Sequence, residues 1–156
     1  IKLKKGQEFL AKIQNDYIGR YNPRLNTLKH GAINWNYEPY DLLNFINAFD
    51  SPYPGAFTYL DNGSFGRLHI KSVQLHAGDS SNHPYMAGIV SRHDGSWIVV
   101  STKSKHMLLI ERVLDGKGRN ILSKIKVGDR FVTPLNELDI SRNRRITYSS
   151  KGIKIK

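Results

Sequence analysis

The residues of this 156-residue chain that could do chemistry are six histidines, a few serines and an excess of lysine and arginine. The histidines are His30, His69, His76, His83, His93 and His106. A metal site favours histidines at i, i+4 on a helix or i, i+2 on a strand, beside acidic partners, and no pair here has that spacing. Ser80-Ser81 and the other serines lack the G-x-S-x-G setting of a strained nucleophile turn. No glycine-rich phosphate loop is present. Asp115-Gly116-Lys117-Gly118-Arg119 reads as an exit loop from a strand that carries two cations, rather than as a nucleotide site. The absence of cysteine excludes disulfides, thiolate zinc and thiol catalysis. No catalytic, cofactor-binding or metal residue is therefore expected in this chain.

Charge is the stronger signal. The net charge is +11, and it is unevenly spread. Residues 1–31 hold seven basic and two acidic side chains, residues 32–116 six and eight, and residues 117–156 eleven and three. The middle is near neutral and both flanks are basic, which is the electrostatic footprint of a phosphate-bearing partner. The candidate phosphate-binding residues are Arg142, Arg144 and Arg145 at one end, and Lys2, Lys4 and Lys5 at the other. Arg142 and Arg145 would share a face if that piece were helical. A second candidate set is an aromatic and basic platform on strands, Tyr59, His69, Lys71, Arg92 and Trp97, of the kind that stacks single-stranded bases. Trp97 and Trp35 fit packing roles better, Trp97 because it opens an apolar strand and Trp35 because it precedes a helix.

The elements that must position these residues follow from pattern. Lys2 to Tyr17 predicts a helix with Phe9, Leu10, Ile13 and Tyr17 on one stripe, stopped at Gly19. Tyr21 to Gly31, with Pro23, reads as a linker or strap. Five strands are expected: Ala56–Leu60, Arg67–Leu75, Met86–His93, Trp97–Lys103 and Met107–Leu114. Asn62-Gly63 marks a hairpin turn. The apolar phase slips between Leu68/Ile70 and Val73/Leu75, which predicts a bulge or bend. Ile121–Ile125 fits one helical turn, Val127–Phe131 a turn into a last extended piece, and Pro134–Ile140 a short helix capped by Thr133. No apolar run approaches the ~18 residues of a membrane span. No secretory leader pattern opens the chain. Both fit a cytoplasmic protein, and a start at Ile1 predicts a piece of a longer one.

The run Ile33–Phe57, INWNYEPYDLLNFINAFDSPYPGAF, is the most informative stretch. Trp35 is a large anchor on an extended entry. Tyr37 to Phe49 predicts a helix capped by Asn36, with Glu38 and Asp41 in the first turn and Leu42, Phe45, Ile46 and Phe49 on one face. Pro52 and Pro54 end it. Gly55 permits a close approach or a positive φ before the first strand.

The order I-N-W-N, a helix, then A-F-D-S-P-Y-P-G-A-F resembles the opening of the C-terminal domain of methionyl-tRNA formyltransferases and of a related sugar-modifying formyltransferase. The likeness covers roughly residues 21–119. It implies a mainly β fold with some α: a small OB-like Greek-key barrel with flanking short helices. The implied organisation is a helix and linker at 1–31, ending a missing catalytic domain, then the OB-like domain at 32–120 and a basic extension at 121–156. Trp35, Pro54 and Gly55 would be its structural anchors. One position departs from the pattern. The family often has Arg before the Ala of the helix, where this chain has Asn47.

The resemblance implies a parent enzyme that uses 10-formyltetrahydrofolate through an N-terminal catalytic domain. The N-H-x-x-L-L-P loop that carries the family's catalytic residues is not found; Asn82-His83-Pro84 lacks the Leu-Leu-Pro that should follow. The chain is therefore expected to be non-catalytic, helping to bind or position a formyl acceptor, with tRNA the first expectation. Two other readings stand beside it. One is a structural or oligomerising module of a sugar N-formyltransferase whose acceptor is a nucleotide-linked amino sugar. The other is a free-standing OB-fold protein for single-stranded nucleic acid.

Overall fold

The computed structural model describes residues 25–77, 82–143, 146–149 and 152–155. The helix expected over Lys2 to Tyr17 lies outside these residues. The described chain opens with a short helix, α1 (Thr27–His30), inside the expected strap. Asn26 caps it by accepting from the Leu28 N–H at 3.1 Å, and the Asn26 N–H donates to His30 Nδ1 at 2.8 Å. The next residues run alongside the first strand. The Phe57 N–H donates to the Gly31 carbonyl, and the Ile33 N–H to the Phe57 carbonyl.

Helix α2 (Pro39–Ala48) starts two residues later than its apolar pattern alone suggests. Pro39 is its first residue, where a missing N–H costs nothing. Asn36 does not cap it. The chain first makes a turn in which the Asn36 N–H donates to the Asn34 side chain, and Glu38 holds the cap position without a side-chain bond. The predicted stripe does face the core: Leu42, Ile46 and Phe49 are buried and Phe45 packs beside them. Fully burying Leu42 and Ile46 contributes about 1.5–3 kcal/mol each as an upper estimate.

Six strands form one antiparallel sheet: β1 (Ala56–Leu60), β2 (Leu68–His76), β3 (Val90–His93), β4 (Ile98–Val100), β5 (Met107–Leu114) and β6 (Phe131–Val132). Their order is β3-β4-β5-β2-β1-β6, so β5 returns to lie beside β2 in a Greek-key path. The sheet curls until its edges meet. Ile89 bridges Arg130, the Val90 N–H donates to the Asp129 carbonyl, and the Phe131 N–H to the Gly88 carbonyl. The fold is thus mainly β with a few short helices, as expected. The sixth strand is the extended piece after Val127.

Three strand details differ from the pattern. β3 begins at Val90 because Pro84–Met86 is a 3-10 turn, and β4 ends at Val100. The phase slip in β2 is a bend and not a bulge. Ser72 takes a positive φ of 55° and drops out of the pairing, while the register with β5 is the same on either side of it, from His69↔Leu114 to Lys71↔Arg112 and from Val73↔Ile110 to His76↔Met107. The register shift falls instead in β3, between Val90 and Arg92, where the Ser91 hydroxyl donates to the Val99 carbonyl.

Inside the curl, Ile33, Leu60, Leu68, Ile70, Val90, Ile98, Leu108 and Ile110 form one core with α2. Ile121, Leu122, Ile125 and Phe131 belong to that same core, so the chain after residue 120 completes it. A 3-10 turn (Leu122–Lys124) occupies the expected helical turn. Helix α3 (Leu135–Asn143) then packs Leu138 against Ala32 and Phe57 on the outer face of β1. A two-stranded hairpin, β7 (Ile146–Ser149) and β8 (Gly152–Ile155), ends the described chain.

Candidate functional site

Trp35 and the strand it meets show how the entry segment is held. Its side chain is 6% exposed and stacks on Phe131 with ring centroids 5.6 Å apart. Its indole Nε1 donates to the Thr58 hydroxyl at 3.0 Å. That hydroxyl also accepts from Thr133 Oγ1 at 3.1 Å and donates to the Val132 carbonyl at 3.1 Å. One fully buried hydroxyl therefore ties the entry, β1 and β6 together, and every polar atom in it is satisfied. Thr133 spends its side chain here, not as the cap of α3.

The loop between α2 and β1 is organised by a residue from β2. Lys71 is 7% exposed. Its ammonium donates to the Tyr53 carbonyl at 2.8 Å and to Ser51 Oγ at 3.0 Å, and lies 3.4 Å from the Asp50 carboxylate. Asp50 in turn accepts the N–H groups of Ser51 and Ser72. Burial pushes the Asp50 carboxyl up, but the Ser72 and Ser51 N–H groups and Lys71 outweigh it and hold the pKa below 3.8. The Ser72 bond also explains the bend in β2, since it fixes that amide toward the loop.

Pro54 leads into Gly55, whose φ is +111°. A Cβ at Gly55 would lie 2.9 Å from the Ile70 carbonyl and from the Lys71 side chain. Only glycine fits both the angle and the space. The Gly55 carbonyl accepts from His69 Nδ1 at 3.3 Å. Burial lowers the His69 pKa from 6.5, and Arg67 and Lys71 nearby act in the same direction against that bond.

The outer face of β1 and β2 is covered. Arg67 lies 4.1 Å over the Phe57 ring and donates to the Tyr59 hydroxyl, the Leu28 carbonyl and Glu137. It joins α1, β1 and α3. Of the strand platform considered from sequence, Tyr59 and His69 are engaged here and Lys71 is buried in its loop. Arg92 is exposed and Trp97 is half-buried on a different part of the sheet. These five do not form a continuous stacking face.

The cations of the flanks divide differently. Arg142 stands exposed in the last turn of α3 and donates to the Tyr37 hydroxyl at 3.3 Å. Arg144, Arg145, Lys2, Lys4 and Lys5 lie outside the described residues. In the exit loop after β5, Arg119 grips Asp115 with two nitrogens, at 2.7 and 2.8 Å. The Arg119 and Lys117 N–H groups add to that carboxylate. The bonds from Arg119, first its N–H and then its guanidinium, hold the Asp115 pKa below 3.8. Lys117 and Lys126 are exposed, and exposed Lys124 lies 5.9 Å from the Phe65 ring centroid. Among the described residues no three His, Asp or Glu side chains are grouped to hold a metal.

Sequence reasoning did not find Asp50, Arg67 or the role of Lys71. A signal for Lys71 existed: it is the one lysine of its strand and stands between Ile70 and Val73, where the apolar phase slips.

A curled antiparallel sheet, an entry tryptophan and a Pro-Gly loop built around a buried lysine define the kind of domain. Residues 27–124 match the family model for the formyl transferase C-terminal domain, and the chain belongs to that family. Over 107 residues it is 32% identical to a methionyl-tRNA formyltransferase of Mycoplasma mycoides subsp. mycoides SC. The match takes in 64% of this chain and 32% of the relative, so the chain spans about a third of that enzyme's length. No helix among the described residues is long and apolar enough to cross a membrane.

Proposed function

We propose that this chain is the non-catalytic C-terminal domain of a formyltransferase and that it holds the formyl acceptor, a tRNA, beside an N-terminal catalytic domain. That catalytic domain would take 10-formyltetrahydrofolate; this chain would supply no cofactor contact. One observation carries the reading. The cations at β2 are engaged by the domain itself, Lys71 buried in its loop and Arg67, just before the strand, bonded to Tyr59 and Glu137, whereas Arg142 is exposed at the head of a strongly basic tail. Arg142, Arg144 and Arg145, with Lys2, Lys4 and Lys5, are the proposed phosphate-binding residues. Such residues position a polyanion without reading its sequence.

A second reading keeps one observation in its favour. The sheet region, residues 32–116, has two more acidic than basic residues. That suits a structural or oligomerising module of a sugar N-formyltransferase, whose acceptor would be a nucleotide-linked amino sugar.

The test is a salt titration of tRNA affinity for the whole chain, for Arg142/Arg144/Arg145→Ala and for Lys124/Lys126→Ala. The tail variant is expected to bind more weakly. Its slope of log K against log salt should fall by about one for each phosphate no longer neutralised. The Lys124/Lys126 variant is expected to change less. If the wild-type chain does not bind tRNA at low salt, the reading fails and the sugar-acceptor module takes its place.

A further inference from the structure

A cleft of about 440 Å³ opens between the Trp35 entry, the 3-10 turn at Pro84–Met86 and the start of α3, a volume in the range of small-ligand sites. Its floor is the buried Trp35–Phe131 stack. Its rim is polar and aromatic. Tyr85 is 70% exposed although the Arg130 guanidinium lies over its ring, 4.4 Å from the centroid. Asn36, also exposed, lines the same cleft.

Each of these groups has capacity that the fold does not use. Among the described residues the Arg130 side chain makes one hydrogen bond, to the Tyr85 carbonyl at 2.8 Å, and no ion pair. A guanidinium has further N–H donors in its plane. The guanidinium and the ring already form a flat stack, and both kinds of plane stack on nucleobases. The Asn36 backbone N–H is taken by the Asn34 side chain, whereas the Asn36 amide can offer a donor and an acceptor to the edge of a base. The two residues after Asn36 bring cations beside the cleft. Arg142 donates to the Tyr37 hydroxyl at 3.3 Å, and Lys103 offsets the Glu38 carboxylate at 3.0 Å.

We propose that this cleft takes one unstacked nucleotide of a bound RNA. The base extends the Arg130–Tyr85 stack and meets the Asn36 amide on its edge, while the neighbouring phosphates pass Arg130 and Arg142. A flat group edged with hydrogen-bonding atoms and flanked by negative charge fits ring, amide and cations together, where an apolar ligand would use the ring alone. The inference rests on the tRNA reading for the source of that nucleotide. Arg142 then joins the cleft to the basic tail, and part of the recognition lies in the body of the domain.

The experiment measures binding of tRNA and of single-stranded hexauridylate to the whole 156-residue chain, in wild type, Tyr85→Leu and Tyr85→Phe, each over a range of salt. Tyr85→Leu is expected to bind hexauridylate about tenfold more weakly at an unchanged salt slope, because a stacking ring adds affinity without neutralising a phosphate. Tyr85→Phe keeps the ring and is expected to bind as wild type does. Arg130 bonds the Tyr85 backbone carbonyl, so that bond survives both substitutions and the urea midpoints should agree. Should the Tyr85→Leu midpoint fall, Asn36→Asp takes its place under the same criterion of weaker hexauridylate binding. Equal hexauridylate affinity in wild type and variant overturns the proposal, and if tRNA is still bound the tail reading stands without it. Hexauridylate binding that depends on Tyr85, in a chain that does not bind tRNA, upholds the cleft and overturns the tRNA reading. A wild type that binds neither overturns both.

Discussion

Replacing Lys71 by Met keeps the aliphatic stem and removes the ammonium. Three interactions go: the Tyr53 carbonyl at 2.8 Å, the Ser51 hydroxyl at 3.0 Å and the Asp50 carboxylate at 3.4 Å. Breaking one side of a buried charge pair costs about 3–5 kcal/mol when the partner is left uncompensated. Asp50 is better off than that. It keeps the Ser51 and Ser72 N–H groups, and its side chain is 23% exposed. The expected loss is therefore about 2–3 kcal/mol, mostly from the orphaned Tyr53 carbonyl and the weakened carboxylate. Urea unfolding should show a lower midpoint at unchanged slope.

A second readout comes from acid. The folded pKa of Asp50 lies below its ordinary 3.8, so the carboxylate's contribution is fully present above 3.8 and is lost as pH falls through the lowered folded value. Without Lys71 the depression shrinks, and the acid-dependent part of the stability attributable to Asp50 shrinks with it. A Lys71→Met midpoint within error of wild type would refute the view that this lysine organises the loop.

Two further predictions concern the anchors. Trp35→Ala should cost about 3–5 kcal/mol through lost packing on Phe131, whereas Trp35→Phe should cost about 1–2 kcal/mol, largely the bond to Thr58; equal midpoints for wild type and the alanine variant would show that the entry is not held there. Gly55→Ala should lower stability by about 2–4 kcal/mol, because strain at the positive φ adds to the clash with the Ile70 carbonyl, and a thermal midpoint unchanged from wild type would contradict it.

The strands and α2 were legible because their signals are local. Ala56–Leu60 and Met107–Leu114 are short runs rich in apolar residues and bounded by turn residues, and the Leu42/Ile46/Phe49 stripe survives whatever caps the helix. Boundaries were less legible where side chains act at a distance. Asn36 is a good cap in isolation, but Pro39 sets the helix start, and Asn34 takes the Asn36 N–H. Thr133 is likewise a good cap in isolation, yet Thr58, 75 residues away in sequence, offers its hydroxyl a buried partner. The site was the least legible part. That Lys71 is a buried clamp and not a surface cation depends on the fold bringing β2 under the Asp50–Tyr53 loop, and no window of sequence contains both. The flank arginines stood out by composition alone, and composition does not say what they touch.

The meeting of β3 and β6 has a consequence for how this domain can take a partner. Many β domains recruit an extended peptide by lending it the unpaired backbone of a border strand. Here the Gly88–Val90 and Asp129–Phe131 backbones already satisfy one another, so that border offers an incoming chain few free N–H and C=O groups. The same closure guards against border-to-border clumping of the isolated domain. Association with a catalytic domain or a nucleic acid is left to side chains, to the apolar clefts and the exposed cations, where it can be tuned one residue at a time without disturbing the sheet.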